Sequence, residues 1–88
     1  MNKQEFKAKA KDTIDNLFEQ VDQLENKFQE VKGEAKVEIQ EKLNSLRHQK
    51  EEMRNKFQQL EQTSGENWES VKDAFSNSVQ TMKNTLTK

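Results

Sequence analysis

Among side chains able to do acid–base, nucleophilic or metal chemistry, this 88-residue chain has one histidine, His48, and no cysteine. On a helical wheel with Val31 at the origin and about 100° per residue, His48 falls at about 260°, facing solvent. Zinc needs several ligands, and no H-E-x-x-H pattern supplies them. The missing cysteines exclude disulfides, thiol nucleophiles and cysteine–zinc sites. Glu38–Lys42 and Glu52–Lys56 stand at i, i+4, the spacing of ordinary helix-surface pairs. Ser45, Ser64, Ser70, Ser76 and Ser78 have no histidine in reach to activate them. Gly33 and Gly65 stand alone, so there is no phosphate-cradling loop. Two or more elongated helices offer no concave pocket for paired carboxylates. These residues predict no enzyme, no catalytic or metal site and no cofactor.

The elements that would carry these residues are helical. Apolar residues make up 30% of the chain and charged residues 35%, against a usual roughly 45–50% and 25%. That is too little for an ordinary compact core and enough for narrow stripes on long helices. There is no proline and there are two glycines, so little interrupts a helix. No apolar run approaches the roughly 20 residues of a membrane span, and the N-terminal lysines precede no continuous apolar segment of a secretory signal. The expectation is a single all-α domain.

One stripe holds its phase from Phe6 to Leu60. Phe6, Ala10, Ile14, Leu17, Val21, Leu24, Phe28, Val31, Ala35, Ile39, Leu46, Met53, Phe57 and Leu60 fall within about 0–100°, and Leu43 at about 120°. Gly33, at about 200°, lies off the stripe between strong helix formers, with no capping residue after it. The pattern predicts one long helix over about 3–62. At 63–66 the chain breaks: Thr63, Ser64 and Gly65 come together, and Thr63-x-x-Glu66 or Ser64 can cap a new helix. A second helix over about 66–87 then presents Trp68, Val71, Phe75, Val79, Met82 and Leu86 on one side. Trp68 is expected near the turn, against Leu60 and Phe57.

A helix over 3–62 would be about 90 Å long, and the second helix, about 32 Å, would cover only Ile39 to Leu60. Phe6, Ile14, Leu17, Val21, Leu24, Phe28 and Val31 would remain in water, at roughly 1.5–3 kcal/mol of unrealised burial each. The expected remedy is a homodimer joined through those residues and Ile39. Leu43, Leu46, Met53, Phe57, Leu60, Trp68, Val71, Phe75, Val79, Met82 and Leu86 would pack within each helical hairpin. Charge favours antiparallel copies: residues 12–31 carry net −5 and residues 32–56 net +2. A three-helix bundle with a break at Gly33 satisfies the same charges within one chain, and domain swapping relates the two solutions.

Lys3, Lys7, Lys9 and Lys11 could touch an anionic surface, but the overall charge of −1 and the acidic segment that follows argue against nucleic acid. The apolar side of the last helix, with Val79, Met82 and Leu86, could lie on a membrane surface. A protein helix needs the same stripe, and protein packing is the favoured use.

"AKVEIQEKLNSLRHQKEEMRNKFQQL" followed by "SGENWESVKDAFSNSVQTMKNTL" resembles small bacterial coiled-coil stress-response proteins. In these a long charged helix meets an S-G turn, and W-x-x-[LV]-K-x-[AG]-[FV] opens an amphipathic helix. Ser64, Gly65, Trp68, Val71, Lys72, Ala74 and Phe75 match that pattern. The resemblance covers most of residues 34–86. It implies a bacterial cytoplasmic protein that is a non-enzymatic interaction module, with no catalytic residues to carry over.

Overall fold

The structure, a computed structural model, describes residues 2–63 and 65–87. Helix α1 spans Lys3–Glu30, α2 spans Glu34–Gln62, and a 3-10 turn at Gly65–Asn67 leads into α3, Trp68–Thr87. The three helices pack against one another, and α1 and α3 touch least.

Each helix has an identifiable start or stop. Asn2 caps α1: its side-chain oxygen accepts the Glu5 N–H at 2.8 Å, and its Nδ2 donates to Glu5 Oε1 at 3.2 Å. The first bond is an ordinary N-cap, and the second ties the two side chains together without engaging the Asn2 backbone N–H that a capping box would use. At the other end Val31 turns extended (φ −89°, ψ 160°), with its N–H still donating to the Lys27 carbonyl at 3.2 Å. Gly33 follows at φ 73°, ψ −144°, a conformation open essentially to glycine alone. Its carbonyl accepts the N–H groups of Lys36 and Val37, but no side chain caps α2. Thr63 closes α2 in extended backbone, and Gly65 makes the second positive-φ step at 75°. The expected cap at Ser64 lies outside the described residues.

The single helix expected over 3–62 is therefore corrected. The chain breaks at residues 31–33 and α1 folds back on α2. Magnitudes explain the outcome. Breaking the helix forgoes about four backbone hydrogen bonds, at roughly 0.5–1.5 kcal/mol net each. Covering six of the seven large apolar side chains within the chain, all but Val31, is worth up to roughly 9–18 kcal/mol. Weak turn chemistry at Gly33 does not outweigh that burial.

The result is a rod of 51 × 18 × 17 Å with a Cα radius of gyration of 14.9 Å, against about 12 Å for a compact domain of this length. Its core runs along the axis: Ala10, Leu17 and Val21 from α1; Leu43, Leu46, Met53 and Leu60 from α2; Trp68, Phe75 and Met82 from α3. Among the described residues no polar or charged residue is fully buried, and the one exposed large hydrophobic is Val37.

Candidate functional site

The residues assigned by sequence to two separate surfaces lie in one core. Leu17 and Val21 are buried, and Phe6, Ile14, Leu24, Phe28 and Ile39 are partly buried and packed on the same cluster. Leu43, Leu46, Met53, Leu60, Trp68, Phe75 and Met82 are buried there too, with Phe57, Val71, Val79 and Leu86 against them. The stripe of α1 thus does not wait for a second copy, as the long-helix argument required. Val31 is the exception. It sits half-covered in the α1–α2 link, and Ala35 just beyond it is exposed. The stripe emerges into solvent at this end.

At the opposite end an aromatic cluster joins all three helices. Phe6 of α1 meets Trp68 edge-on at 5.9 Å and Phe75 at 6.2 Å, while Phe57 of α2 lies 6.2 Å from Phe75. The ring partner of Trp68 is therefore Phe6, sixty-two positions away in sequence, which the sequence argument placed in an intermolecular seam. Lysines crowd these rings. Lys3 Nζ and Lys7 Nζ lie 5.5 and 5.8 Å from the Trp68 ring, and Lys72 Nζ lies 5.5 Å from Phe6. Such cation–ring contacts are worth roughly 0.5–1 kcal/mol at exposed sites.

Beside this cluster runs an open groove of about 200 Å³ between α1 and α3. Phe6, Ala10, Phe75 and Val79 contribute apolar lining, and Lys9 and Lys83 contribute cations. Where two helices touch least, their flanking side chains leave such a channel open to solvent. Nothing in it pairs a nucleophile with a base: its hydroxyls, Thr13 and Ser76, have no histidine beside them. His48 is exposed on α2.

Two further residues escaped the sequence pattern. Phe18 sits at about 140° on the wheel, outside the stripe, yet it packs on the core. Lys50 Nζ at 4.9 Å and the Arg54 guanidinium at 5.3 Å cover its ring. Gln49, at about 0°, lies inside the stripe. Its Nε2 donates to Thr85 Oγ1 at 2.9 Å, joining α2 to α3. Its Oε1 is buried without a hydrogen-bond partner. A polar residue at a stripe position was the available signal.

Among the described residues no group of three or more histidines, aspartates and glutamates is placed to hold a metal, and no helix is long and apolar enough to cross a membrane. No protein-family model, curated protein or solved structure matches the chain.

Proposed function

We propose that the chain is a non-enzymatic helical interaction module of the bacterial cytoplasm that associates with its own copy. One observation carries this reading. The apolar stripe, covered along most of the rod, comes out at the α1–α2 link, where Val31 is half-covered and Ala35 is exposed. Acidic residues before the link and basic ones after it flank the stripe, so an antiparallel copy meets complementary charge. The resemblance of residues 34–86 to stress-response coiled coils motivates a role in stress. Mass measurement across a concentration series tests the association. A dimer at tens of micromolar is expected, and a monomer throughout refutes it.

The α1–α3 groove supports a second reading, binding to an anionic amphiphile or membrane surface. Its apolar lining suits an acyl chain, and Lys9 and Lys83 suit a negative head group. Flotation with anionic but not zwitterionic vesicles is expected on this reading, abolished by Lys9→Glu with Lys83→Glu. Absence of flotation removes it.

A further inference from the structure

The α1–α2 link has the chemistry of a hinge. Three residues, Val31, Lys32 and Gly33, separate helices of 28 and 29 residues. The link contains no proline, asparagine, aspartate or serine, and α2 starts without a side-chain cap. Backbone alone holds the reversal, through extended Val31 at φ −89° and ψ 160° and Gly33 at φ 73° and ψ −144°. If residues 31–33 turn helical, the orphan carbonyls of α1 and the uncapped N–H groups of α2 pair with each other. The stripes of α1 and α2 then join in phase, since Phe28, Val31, Ala35 and Ile39 fall at about 60°, 0°, 40° and 80° on the wheel.

We infer that the dimer forms by exchange at Gly33: α1 and α2 straighten into one helix, and each α1 packs on the α2 and α3 of the second copy. This rests on the self-association reading and specifies its mechanism. Exchange preserves every helix–helix contact of the rod except at the link. It also covers what one chain leaves open. The two-fold axis falls near Gly33, so Val31 of each copy lies by Ala35 of the other, where the stripe is otherwise wetted. Lys27 and Glu38, at about 320° and 340°, share one flank there and meet across the axis with opposite sign. Short links that must bend sharply favour such exchange. Closure within one chain wins at low concentration because it needs no second molecule.

Glu25 and Arg47 provide the test. Their charged groups lie 3.8 Å apart between α1 and α2. The pair is intramolecular in the closed rod and intermolecular after exchange. Cysteines at both positions, Glu25→Cys with Arg47→Cys, would be the only thiols in the chain. A short bismaleimide then reports on a denaturing gel whether the bridge lies within one chain or between two. Gly33→Ala both strains the closed link and favours the continuous helix, in each of two chains. It should raise the association constant by about a hundredfold or more. Its dimers should carry interchain bridges. Inserting three glycines after Gly33 should return monomers with intrachain bridges.

Dimers that bridge only within chains would overturn exchange while leaving self-association standing. Monomers in both wild type and Gly33→Ala would overturn both. Should Gly33→Ala lose helix content, the wild-type dimer at high concentration decides alone by the position of its bridge.

Discussion

Gln49 shows how a single side chain departs from the apolar logic of its helix. Its amide bridges to Thr85, but its buried Oε1 has no partner. An unsatisfied buried acceptor costs about 1–3 kcal/mol, whereas one neutral hydrogen bond gains about 1 kcal/mol. Thr85 also keeps a bond of its own after Gln49 is removed, because its hydroxyl donates to the Thr81 carbonyl at 3.1 Å. Gln49→Leu is therefore expected to stabilise the fold by about 1 kcal/mol, raising the urea midpoint. A lowered midpoint would mean that the tie between α2 and α3 outweighs the orphaned oxygen. Phe6 makes a second residue-scale case. It is half-buried and meets both Trp68 and Phe75, so Phe6→Ala should cost about 2 kcal/mol, below the full-burial range. Trp68 is the chain's one tryptophan and is only 8% exposed, so its emission should move to longer wavelength in that variant. Unchanged emission would contradict the packing of Phe6 on the indole.

At the scale of the helices, ends and links differ in how strongly they are held. Asn2 satisfies an orphan N–H at the start of α1 and is tied back by Glu5. Asn2→Ala should lose about 1 kcal/mol and accelerate amide exchange at Glu5 and Phe6. The bridge from Glu25 to Arg47 joins side chains 39% and 59% exposed. Arg47→Ala should therefore shift stability by less than about 1 kcal/mol, measured by urea titration in low salt. These contrasts also explain what sequence could disclose. A 3.6-residue stripe without proline makes helix readable throughout, and the cluster of Thr63 and Gly65 marks the second turn. The first turn was legible only as the alternative, a break at Gly33. Residues 31–33 lie among helix formers, and the propensity penalty of Gly33, about 1 kcal/mol, signals no reversal by itself. The decision rests on burial summed over α1, a tertiary quantity. Phe18 was missed for a related reason, since a stripe analysis discards a ring off the main face that Lys50 and Arg54 then shelter. The stripe residues themselves were legible, but not that both groups share one core.

Over the whole molecule, the core is a single thin column, so each layer has few neighbours. An 88-residue domain has a total stability of roughly 4–13 kcal/mol. That stability is unevenly distributed because the helices differ in length. Twenty residues of α3 reach about 30 Å, while 28 and 29 residues of α1 and α2 reach about 42–44 Å. The last residues of α3 come alongside Gln20, Leu24 and Lys27, where Leu86 lines a shared hollow. Beyond that point the rod is two helices thick, and Phe28, Val31 and Ile39 are only partly covered. A two-helix end opens at lower free energy than a three-helix middle, because fewer apolar contacts are lost. Native-state amide exchange should therefore show residues 28–39 opening well below the global unfolding free energy. Amides around Leu43, Leu46 and Met53 should exchange only through global unfolding. The same order should hold in urea, with the link end losing protection first. Uniform protection from Phe28 to Met53 would show that the link end unfolds together with the core, and local opening would then provide no route from the closed rod to an exchanged pair.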